Sequence, residues 1–195
     1  MNRSQITRYD WCVNDPTYIA YHDNEWGVPT FEDSSLFEFL VLEGAQAGLA
    51  WITVLKKRKG YLRAFDGFDA EKIARYGKRD IKRLLKDDGI IRNRLKVEST
   101  INNAQAFLRI RERHTSFSDY IWQFVDGEPH QNHFRSLKNV PTTTPSSDAM
   151  SKQLKKDGFR FVGSTICYAY MQATGMVNDH LVDCHRHQIC ASLVV

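Results

Sequence analysis

LKKDGFRFVGSTICYA, residues 154–169, carries the signal on which the fold turns. A helix running into Gly158 can stop there, because glycine accepts the left-handed backbone of a helix C-cap. Gly163, followed by Ser164 and Thr165, then opens a second helix. The free amides at that new helix start form a natural seat for a phosphate. Two helices joined by such a glycine-bounded turn, here within Lys155 to Ala169, have the form of a helix-hairpin-helix, which grips DNA backbone without reading its sequence. An ordinary helical hairpin with a C-cap glycine has the same pattern, and this stretch by itself does not separate the two readings.

Working outward, cap residues and three-to-four spacing recur from end to end while strand signals are scarce, which predicts an all-α protein. Asp15-Pro16 opens a short helix that places Tyr18, Tyr21 and His22 on one face. Asp33 and Ser34 are expected to cap a helix over SSLFEFLVLEGAQAG, which is apolar nearly all round and therefore buried. Further helices are expected at about 50–58, 70–76, 79–87, 91–113, 116–125, 146–157 and 163–175. The stretch from Asp126 to Ser147, with Pro129, Pro141 and Pro145, reads as one long loop connecting two helical lobes.

At 195 residues the chain is long enough for one compact domain, 1–195, with a sizeable core. No apolar run is long enough to cross a bilayer, and the polar start MNRSQITRYDW lacks a signal-peptide core, so a cytoplasmic location is expected. Cys12, Cys167, Cys184 and Cys190 form no dense framework, and such thiols are expected to stay reduced. Lys plus Arg total 27 against 23 acids, a formal charge of +4, too mild to identify a partner by itself. Its clustering at 56–59, 78–86, 92–96 and 155–160 suits solvated helix faces, and also a surface that follows phosphates.

Glu43 is the sharper clue. It shares one helix face with Leu36, Leu40 and Ala47, and a carboxylate in apolar company calls for a partner. With Trp11, Tyr18, Tyr21 and Trp51 it could line an aromatic slot suited to a flat, cationic or electron-poor ring. Aromatic residues at this spacing also serve as plain core. His180 and Cys184 are spaced like two metal ligands on one helical turn, with His22 as a third, although a histidine in such a place is also an ordinary hydrogen-bonder. His22-Asp23 has the form of a metal-dependent phosphohydrolase pair, yet no second ligand set completes it.

DPTYIAYHDNEWGVP, LEGAQAGLAWITVLKKR, GIIRNRLK, LKKDGFRFVGSTICYAYMQATG and VNDHLVDC, in this order, closely resemble the bacterial DNA-3-methyladenine glycosylase I family, from about residue 9 to 184. The resemblance implies a helix-hairpin-helix glycosylase fold, two helical lobes around a base-binding cleft, and a monofunctional enzyme. That enzyme would release N3-methyladenine from alkylated double-stranded DNA and leave an abasic site, without lyase activity. By position, Glu43 matches the family's base-recognising acid, to which we assign the catalytic role, and Trp51, Tyr18, Tyr21 and Trp11 match the pocket walls. Gln46, Gly48 and Leu49 fall where the DNA-probing loop lies. Gly158, Phe161, Gly163, Ser164 and Thr165 match the phosphate-binding hairpin.

The resemblance also implies a structural zinc on His22, His180 and Cys184, in a lobe where the N- and C-terminal segments meet, with no cofactor needed for catalysis. The family's fourth ligand, a cysteine, is replaced here by Tyr9. Cys12, His185, His187 and Cys190 are the nearby substitutes. The wider superfamily's catalytic aspartate falls on Asn178, and its lyase lysine on Thr165. A monomer is expected. The competing readings are a catalytically silent sensor of alkylated or distorted DNA, and a hydrolase built on the three metal-ligand residues.

Overall fold

The computed structural model describes residues 7–193. Eleven α-helices lie among them: α1 (Pro16–Asn24), α2 (Asp33–Gln46), α3 (Trp51–Leu55), α4 (Arg58–Ala64), α5 (Ala70–Ile73), α6 (Lys78–Leu84), α7 (Arg94–Arg113), α8 (Phe117–Trp122), α9 (Pro145–Lys156), α10 (Ser164–Ala173) and α11 (His187–Ala191). Their starts follow local chemistry. Asp15, Asp69, Asn93 and Ser116 accept amide hydrogens at the starts of α1, α5, α7 and α8, and Thr144 exchanges bonds with Ser147 at the start of α9.

α2 is the central post. Leu36, Phe37, Leu40, Leu42 and Glu43 are all buried on it, and it packs against α3, α7, α8 and α10. A helix hydrophobic on every side has to be enclosed, and α2 is. Phe37 meets Phe107 of α7 at 4.8 Å, and Phe107 meets Phe117 of α8 at 4.7 Å, which ties three helices into one aromatic core.

Four expectations need correction. Asp33 does not cap α2. Glu32 stands at the N-cap, and the Asp33 carboxylate instead accepts the amides of Phe117 and Ser118, capping α8 from a distance of 84 residues in sequence. The helix expected at 50–58 is two short helices, α3 and α4, meeting at Lys56–Lys57, with Arg58 held by Glu25 and Glu38. α7 begins at Arg94 rather than 91, because the Asn93 side chain caps it. The loop from 126 to 147 is not featureless: His130–Gln131 forms a two-residue strand, β1, parallel to β2 (Val177–Asn178), and α9 starts inside its expected end.

The two ends of the described chain meet. The Tyr9 hydroxyl donates to the backbone oxygen of Asp179, and the amide of His185 reaches the oxygen of Thr7 at 3.3 Å. Among the described residues no helix is long and apolar enough to cross a membrane.

Candidate active site

Glu43 sits one turn from the end of α2, is 2 % exposed, and has its Oε2 buried without a hydrogen-bond partner. Burial pushes its carboxyl up to about 8, so it is largely protonated at neutral pH. The indole Nε1 of Trp51, at the start of α3, is likewise buried and unpaired. Native structures leave few such atoms unmatched, and these two belong to the same hollow.

That hollow has a volume of about 270 Å³. Its walls are two aromatic pairs. Trp11 lies against Tyr18 at 4.5 Å between ring centroids, and Tyr21 against Trp51 at 5.5 Å. α1 supplies both tyrosines because the step of three puts positions 18 and 21 on one side. Gln46 and Glu43 come from α2, Ala169 and Gln172 from α10, and Leu137 and Val140 from the long loop. A flat heteroaromatic ring fits between such walls, with a carboxyl to hold its polar edge. A larger hollow of about 620 Å³ lies behind Tyr168 under the long loop. Neither of the unpaired atoms faces it, so the smaller one is the candidate site.

Every residue expected in the pocket therefore lines one cavity: Trp11, Tyr18, Tyr21, Glu43 and Trp51. Tyr9, Trp26 and Gln172 line it as well, and sequence reasoning had assigned them no such place. Trp26 carried a signal, being the last aromatic of the YIAYHDNEW cluster. Gln172 carried none, since its nearness to α1 and α2 is set by how α10 crosses them.

His22, His180 and Cys184 are buried together, with their donor atoms within 4.8 Å of one another, although 180–184 run through turns and not along the expected helical turn. His22 Nδ1 lies 2.8 Å from Asp23, and His180 Nε2 lies 2.9 Å from the backbone oxygen of Trp26. Each ring thus gives its N–H to an oxygen and turns its other nitrogen to the Cys184 sulfur, at 3.6 and 3.5 Å. Those separations match the sulfur-to-nitrogen edge of about 3.5 Å expected for a tetrahedral zinc with bonds of about 2.3 and 2.05 Å. The oxygen partners on the outer nitrogens are those that orient metal-bound histidines. Two of the three edges thus suit zinc, whereas the two nitrogens are held only within the 4.8 Å that encloses all three donors, against about 3.3 Å for a tetrahedral pair. The substitutes for a fourth ligand are engaged elsewhere: Cys12 donates to the oxygen of Tyr9, His185 faces Thr7 and Asp23, His187 meets the oxygen of Asn132, and Cys190 accepts from Arg186.

The α9–α10 connection is the other candidate surface. Gly158 leaves α9 at φ +92°, Phe161 takes φ +56°, and Gly163 is the N-cap of α10. Phe161 is half-buried over Gly44 of α2, which couples this turn to the helix that carries Glu43. Asn103 of α7 braces it, donating to the oxygen of Arg160 at 2.9 Å and accepting from its amide at 2.8 Å. Thr165 is exposed, whereas the Ser164 hydroxyl meets Ser147 at 2.9 Å and donates to Asp148. Gln46 ends α2, and Gly48 and Leu49 follow it into a sharp turn. Gly48 takes φ +76°, and Leu49 is 39 % exposed. Asn178 does not face the cavity, for its amide donates to Gln131 and to the oxygen of His187.

This arrangement has known counterparts. Residues 11–187 match the methyladenine glycosylase family. DNA-3-methyladenine glycosylase 1 of Escherichia coli K12 is 52 % identical over 179 residues, covering 92 % of this chain and 96 % of that protein. A solved structure of a 3-methyladenine DNA glycosylase I superposes with a TM-score of 0.91 at 54 % identity, covering 93 % of this chain and 100 % of the other. The Staphylococcus aureus 3-methyladenine DNA glycosylase I, solved to define its recognition of 3-methyladenine, superposes with a TM-score of 0.88 at 37 % identity, covering 89 % and 93 %.

Proposed function

The chain belongs to the methyladenine glycosylase family, and from that premise we propose that it is a DNA glycosylase of base excision repair that hydrolyses the N-glycosidic bond of N3-methyladenine. One observation carries this reading beyond the family name: an aromatic slot whose buried carboxyl and indole N–H are both left without partners. A ring that can satisfy both atoms while stacking on Trp51 and Tyr18 is the ligand such a slot is built for.

The target base is hidden in the duplex, so its nucleotide has to rotate out of the stack, at a cost that is smaller for a damaged base. In this reading the α2–α3 turn with Gly48 and Leu49 occupies the gap, and the α9–α10 hairpin with Gly158, Phe161, Gly163, Ser164 and Thr165 holds the backbone. Methylation at N3 makes the base cationic. The faces of Trp11, Tyr18, Tyr21 and Trp51 attract that charge, and its arrival favours the ionised form of Glu43, which then accepts from the amino edge. Neutral adenine gains neither term.

The same charge prepares the bond for cleavage. The electron pair of the C1′–N9 bond passes to the ring, which leaves as neutral 3-methyladenine, and water adds to C1′ with loss of its proton to solvent. Protonation of the leaving group is not required, so binding and orientation supply the acceleration. Thr165 stands where a lyase would need an amine, and the strand remains uncut. A zinc ion on His22, His180 and Cys184 would be structural, cross-linking the first and last segments behind the cavity.

The reading is tested by incubating the protein with methylated duplex DNA and separating the released bases by chromatography. Free 3-methyladenine, with strand breakage only after alkali, is the expected result. Binding without release would replace the enzyme with a sensor, and chelator-sensitive release of phosphate would replace it with a hydrolase.

A further inference from the structure

Lys96 is a buried cation for which the chemistry described so far has no use. It lies in the first turn of α7, is 8 % exposed, and forms no ion pair with a carboxylate among the described residues. Taking an ammonium out of water without an anion is costly, so a fold that does so gains something by it. Its Nζ donates to the backbone oxygen of Ala45 at 2.7 Å and to that of Ala47 at 2.8 Å. Ala45 is in the last turn of α2 and Ala47 is its C-cap, so both oxygens belong to the end of the helix that has no further amides to accept. The lysine is a C-cap delivered from another helix, and its charge meets the negative end of the α2 dipole.

What this cap holds is the turn into α3. That turn has little else to fix it: Ala47 N reaches Gly44 O at 3.4 Å, Leu49 N reaches Gln46 O at 2.6 Å, and nothing lies within 4 Å of a Cβ built on Gly48. Lys96 itself is firmly seated, because the Asn93 side chain accepts from its amide and its own oxygen accepts from the hydroxyls of Ser99 and Thr100. Beside it Leu95 is 65 % exposed.

We propose that Lys96 is a positioning residue for DNA engagement: by clamping Ala45 and Ala47 it holds the Gly48–Leu49 turn in the shape that enters the duplex and fills the gap left by the flipped nucleotide. The proposal rests on the glycosylase reading above and adds to it a residue outside both the cavity and the hairpin. Lys96 touches neither the base nor the reacting atoms. Its loss should therefore damage the step that needs the turn and spare the step that needs only the pocket.

The test compares wild type, Lys96→Met, the milder Lys96→Gln and Leu49→Ala. Melting temperature shows that each is folded. Tryptophan fluorescence reports binding of free 3-methyladenine, and single-turnover release is measured from a duplex with one N3-methyladenine. For Lys96→Met we expect free-base affinity within about twofold of wild type and release at least about tenfold slower, with Lys96→Gln in the same direction and Leu49→Ala similar. Release within twofold of wild type in both lysine variants would overturn the proposal. So would a loss of free-base affinity in step with release, because the lysine would then be supporting the cavity. If Leu49→Ala releases base normally, the turn is not the probing element and the proposal falls with that part of the reading. If wild type neither binds nor releases the base, the glycosylase reading itself has failed.

Discussion

At the residue scale the cavity is governed by what burial does to Glu43. Its folded pKa of about 8 lies above the usual carboxylate value of 4.5. The native state therefore holds a proton that the unfolded chain has released, and stability is full below pH 4.5 and falls as pH rises towards 8, by up to about 1.4 kcal/mol per unit. Glu43→Gln removes that slope. Melting curves between pH 5 and 8 should show the variant gaining on the wild type as pH rises, whereas parallel curves would contradict the burial argument. Arrival of a cationic base reverses the preference, so excision by the wild type should increase with pH across the same interval. Glu43 was legible in the sequence because an acid interrupts an otherwise apolar helix face. Tyr9 and Gln172 were not, since only the way distant segments cross brings them to the cavity.

At the element scale, α2 joins the cavity to both turns proposed to meet DNA: it carries Glu43, leads into the Gly48–Leu49 turn, and seats Phe161 of the α9–α10 turn over Gly44. Asn103 is the brace of that hairpin, with both amide atoms committed to Arg160. Asn103→Ala leaves two backbone groups unmatched and should cost about 2 kcal/mol in denaturant unfolding. It should also weaken binding to undamaged duplex DNA; unchanged binding would mean that the hairpin does not grip the backbone. The start of α1 was legible through its cap at Asp15. The misplaced cap at Asp33 has a physical cause. A carboxylate at a helix start serves whichever free amides lie nearest, and here those belong to α8.

On the scale of the whole molecule, the beginning and end of the described chain close on each other behind the cavity. Tyr9 bonds to Asp179, and His22 packs against His180 at 4.8 Å between rings. With zinc bound to His22, His180 and Cys184, removal by a chelator should lower the melting temperature by several degrees while base release continues at a comparable rate. Metal analysis alongside melting curves checks this, and full loss of release in a folded, zinc-free protein would contradict a structural role. The meeting of the two ends was legible through the ligand chemistry of His22, His180 and Cys184 and through the family resemblance, because residues 158 positions apart leave no local signal.

The central claim, that the slot around Glu43 selects and releases a cationic base, is met most directly by single-turnover release of N3-methyladenine from a defined duplex, wild type beside Glu43→Gln. The account predicts release by the wild type and a fall on the order of a hundredfold in the folded variant. Equal release by the two proteins would show that the carboxyl is not what the slot uses, and would contradict it.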